Sequence, residues 1–197
     1  MFTTIKSNID VSKAPTKPKI VYVTGDIAEN TLTAFRKDMA EAAETGQTTI
    51  PIAIDTYGGY TDTLWGMVDI IKTCPVEVVT IVNGKAMSAG GALFTCGKRR
   101  YCSPKSKIMI HGVLGGTQGK VEDMKVSVAE SSKNNTRLLS FMSQNIGKDK
   151  GYFKKMIMSK GNTNQYFSAT QAKKIGLATH IGMPTFTMSV TANYFVE

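Results

Sequence analysis

The chain has little of what several common chemistries need. Of its 197 residues two are histidine and three are cysteine. Cys74, Cys96 and Cys102 have neither metal-ligand spacing nor histidine partners, so they offer no zinc site, and their odd number offers no complete disulfide framework. They read as reduced core cysteines of a cytosolic protein. No apolar run approaches membrane-span length, and Met1 to Asp10 lacks the apolar stretch of a signal peptide, so the expectation is a cytoplasmic protein without a membrane partner. Acidic residues are missing from the C-terminal region: none lies between Asp149 and Glu197.

What is present fits one globular domain with a substantial core. Hydrophobic residues make up 42% and charged residues 20%, which is ordinary for a folded soluble chain and argues against disorder. The formal charge of +9 and a pI near 9.4 raise the question of nucleic acid. The lysines and arginines, however, are spread along the chain with short clusters such as Lys98-Arg99-Arg100, and no nucleic-acid motif accompanies them. A solvated basic face is the simpler reading, with acidic partners favoured. Gly115 to Lys120 superficially has the form of a phosphate loop. The pattern fails because Leu114 stands where its first glycine is needed and Val121 where Ser or Thr is needed. No nucleotide site, and no cofactor of the chain's own, is expected.

In chain order, residues 1–18 are polar and read as an N-terminal arm. Ile20 to Thr24, Thr49 to Ile54 and Val76 to Val82 are β-branched or apolar runs of strand length, with Pro51 marking a strand start or edge. Between them Leu32, Phe35 and Met39, then Leu64, Met67, Val68 and Ile71, recur at helical spacing. Strand, helix, strand, helix, strand predicts parallel crossovers in an α/β fold. Asp55 to Tyr60 reads as a loop with paired glycines. A helix is expected from about Val121 to Asn145, with Val121, Met124, Val128, Leu138 and Met142 on related faces. Ser168 and Gln171 form a capping box, and Gly176 is a helix stop after which Ile175, Leu177 and Ile181 return to the core.

The candidate chemistry centres on Gly84 to Gly91, where Ser88 sits among alanines and glycines, and on Ile108 to Gly112, where His111 closes a strand-like run. Small neighbours let a substrate backbone approach a serine oxygen, and a histidine at a strand end can take its proton. His180 lies in a polar stretch, which leaves His111 as the better base. Taken locally, Ser88 could equally be the N-cap of an ordinary strand-to-helix turn.

Gly-Lys-Ala-Met-Ser-Ala-Gly-Gly followed by Ile-Met-Ile-His-Gly-Val-Leu-Gly-Gly resembles the ClpP family of caseinolytic serine peptidases around its nucleophile and its histidine. The likeness runs from about Ile20 to Ile181 and includes Val23-Thr24-Gly25, Asp55 to Gly59, and Phe167 to Ala172 with Ile175-Gly176-Leu177. It implies an α/β spiral of β-β-α units, shared with crotonases. A peptidase domain would span 19–181, with a protruding handle over about 112–146 and a C-terminal tail over 182–197. It implies a Ser88 nucleophile, a His111 base, and an oxyanion hole from the N–H groups of Gly59 and Ala89, each donor being worth roughly 3 kcal/mol. Leu114, Gly115, Gly116 and Thr117 would begin the segment lying along bound peptide. Asp55 and Tyr57 depart from the family's Asn-Ser-Pro-Gly-Gly and would reshape that groove. The resemblance further implies homo-heptameric rings stacked as a tetradecamer. These would take unfolded polypeptides from a separate AAA+ unfoldase of the ClpX, ClpA or ClpC type, which would be the component that uses ATP.

One family residue is absent. The aspartate that holds the histidine falls at Asn164 when counted from Ser168, and Asn162 and Thr163 replace the charged sensor beside it. An asparagine can orient an imidazole but brings no charge to stabilise the imidazolium. The expectation is a serine endopeptidase with Asn164 as third member, and the alternative is a weakened pseudo-protease or structural ring subunit. An acyl-CoA enzyme of the crotonase type, which uses no serine nucleophile, is disfavoured by the two intact motifs.

Overall fold

The computed structural model describes residues 18–187. The expected arm up to residue 17, and the tail from 188 onward, lie outside these residues. The β-branched runs form three parallel strands, β1 (Val21–Ile27), β2 (Thr49–Gly59) and β3 (Glu77–Met87), joined by helices α1 (Glu29–Glu44) and α2 (Thr61–Thr73). The apolar stripes read from sequence face inward: α1 buries Phe35, Met39 and Ala42, and α2 buries Leu64, Met67, Val68 and Ile71. Pro51 lies near the start of β2, before the pairing with β1 begins at Ile52, where its missing N–H costs little.

After β3 come α3 (Ala89–Phe94), β4 (Arg99–Cys102), β5 (Lys107–Ile110), α4 (Val121–Asn145), α5 (Tyr152–Ser159), β6 (Gln165–Ser168), α6 (Ala169–Ile175) and β7 (His180–Ile181). The sheet order is β1-β2-β3-β4-β7 with all neighbours parallel. β5 pairs in parallel with the far end of β3, and β6 pairs antiparallel with β5. β3 therefore divides its partners: Val79 to Val82 face β4, and Lys85 to Met87 face β5.

Two readings are corrected. Asp55 to Gly59 is not a loop but the distal part of β2, carried through register shifts against both neighbours. Ile181 does not return to the core. It is exposed, on β7, a two-residue strand at the edge of the sheet. The α4 helix begins and ends where its periodicity indicated, but Leu138, Leu139, Met142 and Ser143 are its only buried positions, and Val121, Val126 and Val128 are exposed. Its C-terminal half is fastened to α2. The Trp65 ring lies edge-on to Phe141 at 5.2 Å, and Arg137 stands over Trp65 at 4.2 Å, contacts that add to simple burial.

The C-terminal αβ unit is locked by a buried arginine. Ser168 and Gln171 form the capping box of α6, and Gly176 ends it at φ 82°. Arg100 donates to the carbonyls of Leu177 (2.9 Å), Gly176 (3.0 Å) and Gly97 (2.9 Å), placing a cation at the negative end of α6. Burial lowers its pKa from the ordinary value, yet three carbonyls supply the partners a buried cation requires. Replacing Arg100 with Leu orphans those carbonyls. The expected outcome is a loss of about 3 kcal/mol in urea unfolding, while an exposed-lysine control such as Lys154→Leu changes stability by less than about 0.5 kcal/mol.

Candidate active site

Ser88 and His111 meet because β3 and β5 run side by side. The ladder pairs Met87 with Met109, and the Ser88 N–H continues it by donating to Met109 O at 2.9 Å. The next side chains along the two strands are then neighbours: His111 Nε2 lies 2.6 Å from Ser88 Oγ. For the hydroxyl to donate to Nε2, the neutral ring must carry its own proton on Nδ1. The ring is half-buried, and burial lowers its pKa from 6.5, so the imidazole is the neutral, proton-accepting form at pH 7. His180 stacks on Tyr101 at 4.6 Å on the exposed sheet edge.

Ser88 is not the side-chain cap of α3. It stands in the N-cap position with φ 55° and ψ −122°, and its hydroxyl makes no capping bond. Such a conformation costs a non-glycine residue about 1–3 kcal/mol and persists only where surroundings impose it. Here the Met109 carbonyl holds its N–H, and Gly58 presses from the other side: a Cβ on Gly58 would lie 2.7 Å from Ser88 Cβ. The small residues after Ser88 have a matching cause. A Cβ on Gly91 would lie 2.9 Å from Met109 O, and one on Gly90 would collide with Thr56 Cγ2.

The paired glycines present their backbone to this serine. Gly58 N–H is occupied, donating to Thr56 Oγ1 at 2.9 Å. Gly59 pairs with Ile27, and the Tyr60 N–H donates to Ile27 O at 2.9 Å. In a parallel ladder this alternation turns the Gly59 N–H away from β1. Ala89 is the first residue of α3, whose initial N–H groups have no intrahelical acceptor.

Asn164 sits one step past the β5–β6 ladder. Lys107 pairs with Ser168 and Ile110 with Gln165, so continuing that register by one residue puts Asn164 opposite His111, although the ladder itself ends before them. Asn164 is exposed, and among the described residues His111 has no hydrogen-bond partner other than Ser88. Leu114 to Thr117 are exposed and lie outside any helix or strand, three residues after the histidine.

Two features lay beyond sequence reading. Thr56 is fully buried; its hydroxyl donates to Gly25 O and accepts from Gly58 N–H, fixing the glycine pair. A threonine two residues before Gly58 was its only sequence signal. Lys85 Nζ lies 2.8 Å from Asp55 Oδ1 and 4.5 Å from the Tyr57 ring centroid, while Lys85 N–H donates to the same carboxylate at 3.2 Å. The lysine holds the Asp55 carboxyl below its ordinary pKa. The Asp55 and Tyr57 departures thus form one cluster with Lys85 on the strand leading to Ser88.

Among the described residues no group of three or more His, Cys, Asp or Glu could hold a metal, and no helix is long and apolar enough to cross a membrane. The arrangement is suited to nucleophilic attack by a hydroxyl with its proton received by an imidazole. The family model described as Clp protease matches residues 4–185 of the sequence. Removing the Thr56 hydroxyl with Thr56→Val orphans the Gly58 N–H and the Gly25 carbonyl, and is expected to cost about 2 kcal/mol in denaturant unfolding. Thr56→Ser, which keeps the hydroxyl, is expected to lose less.

Proposed function

Because this chain belongs to the Clp protease family, a family of peptidases, we propose that it is a serine endopeptidase in which Ser88 is the nucleophile and His111 the general base. The observation that carries this reading is the 2.6 Å contact between Ser88 Oγ and His111 Nε2. Ser88 Oγ attacks a peptide carbonyl as Nε2 receives its proton. The N–H groups of Gly59 and Ala89 hold the oxyanion, and the imidazolium then protonates the leaving amine. Water attacks the acyl-enzyme with the same histidine as base. Peptide lies extended along Leu114, Gly115, Gly116 and Thr117, where backbone pairing makes selection weakly dependent on sequence. We further propose that the active form is a double heptameric ring in the cytoplasm, supplied with unfolded polypeptide by an AAA+ unfoldase.

The second reading is a ring subunit with little or no peptidase activity. It is favoured by one observation: the position opposite His111 carries Asn164, and no carboxylate bonds the ring among the described residues. In a chymotrypsin-type triad the Asp-to-Asn change lowers turnover about 10⁴-fold.

A serine-directed fluorophosphonate separates the two, with intact mass and oligomer size read on the same sample. Stoichiometric labelling that disappears in Ser88→Ala supports the peptidase; a well-formed ring that takes no label overturns it. The pH dependence carries a definite sign. Since burial holds the His111 pKa below 6.5, the labelling rate rises through a pKa on the acid side of 6.5 and is level above it. Asn164→Asp adds a carboxylate that stabilises the imidazolium, so its acid limb moves to higher pH and its plateau rate increases, by about tenfold or more.

A further inference from the structure

The β5 ladder ends at Ile110, so the backbone on the far side of His111 needs another support. It comes from α4. Asn135 Oδ1 accepts the Val113 N–H at 3.0 Å. Among the described residues this is the only hydrogen bond made by the backbone of 112–119. The intervening Gly112 lies close to the amide: a Cβ there would be 3.3 Å from Asn135 Oδ1 and 3.7 Å from Nδ2. One helical turn earlier Ser131 Oγ approaches Gly115, at 3.4 Å from a Cβ built there. Asn135 and Ser131 are both half-buried and share one face of α4, which receives the chain as it leaves the histidine.

The Ser88–His111 contact depends on where the His111 Cα is held, since no carboxylate fixes the ring from its Nδ1 side. The ladder holds the backbone before His111, and Asn135 holds it two residues after. We infer that Asn135 is a positioning residue for His111, fixing the imidazole from the backbone in place of the missing side-chain partner. The inference rests on the reading of Ser88 and His111 as the reacting pair. It names an acceptor, Oδ1, as the group that matters.

Three variants test it at pH 8, with oligomer size and unfolding midpoint recorded for each. Asn135→Ala removes the acceptor. Asn135→Ser keeps a polar group too short to reach Val113 and replaces the alanine variant if that one does not fold. Asn135→Asp restores an oxygen at the same place. The small fluorophosphonate is expected to label Ser88 about tenfold more slowly in the alanine and serine variants, with kcat on a peptide lowered to match and KM unchanged. Asn135→Asp stays within about twofold of the parent. Labelling at the parent rate in the alanine variant overturns the inference. So does equal slowing in all three variants, or a change confined to KM, which would assign Asn135 to the peptide groove instead.

If the unaltered protein takes no label, the peptidase reading fails and positioning is read from the ring itself. The chain has two histidines, so His111 is identified in ¹⁵N spectra by comparison with His180→Gln. A changed Nε2 shift in Asn135→Ala that Asn135→Asp restores supports positioning, and an unchanged shift overturns it.

Discussion

The site depends on β3 changing partners partway along its length. Between Ile54 and Thr56 the β2 strand advances two residues while its partners on β3 advance from Val82 to Ala86. The three β3 residues Asn83 to Lys85 therefore face the single β2 residue Asp55, which takes the Lys85 N–H and side chain together. A Cβ on Gly84 would lie 2.6 Å from the same carboxylate. Past this irregularity β3 pairs with β5 and no longer with β4, and that end of the strand delivers Ser88 beside His111. The salt bridge is partly exposed, so its ionic part contributes little to stability. Its value here is geometric, because it ties β2 to β3 at the point where their register shifts.

Having delivered the serine, the fold holds it in a backbone conformation that serine does not prefer. The strain is sustained by contacts from three elements: Met109 of β5, Gly58 of β2 and the glycines of α3, which admit Thr56 from beneath. The sequence motif of small residues around Ser88 is therefore a packing requirement before it is a catalytic one. In the proposed mechanism the same arrangement keeps the other parts of the machinery in place. Loss of a triad carboxylate, at about 10⁴-fold, corresponds to about 5 kcal/mol in the barrier. Two oxyanion donors at roughly 3 kcal/mol each are of the same size, and they act whether or not a carboxylate holds the histidine.

Much of this was legible in the residues and some was not. The helical stripes of α1 and α2, the capping box at Ser168 and the bounds of α4 are local patterns, and they appear as read. Asp55 to Gly59 was misread because paired glycines signal a turn when only neighbours in sequence are considered. In the molecule, positive-φ glycines carry a strand through a bulge against two partners. Ile181 was misread because an apolar residue after a helix stop suggests burial, and sequence does not reveal that the strand is too short and too near the edge to be covered. Ser88 and His111 could be named from their motifs, but the 2.6 Å contact follows from a β3–β5 register that no local pattern encodes. Thr56 and Asn135 escaped notice for the same reason, since each acts through a backbone group distant in sequence.

The α4 helix joins these local and distant effects. Its C-terminal half is packed against α2 through Trp65 and Phe141, and its N-terminal half projects with valines exposed. A 25-residue helix extends about 37 Å, more than this chain's core can cover, so the projecting half gains little from burial within the subunit. Helices draw most of their stability from packing, and the half that lacks it is the half most easily displaced. Asn135 lies near the junction, where the packed turns begin, and from there it bonds the backbone beyond His111. The bond to the backbone beyond the histidine therefore comes from next to the packed turns of the helix, and the exposed N-terminal turns take no part in it.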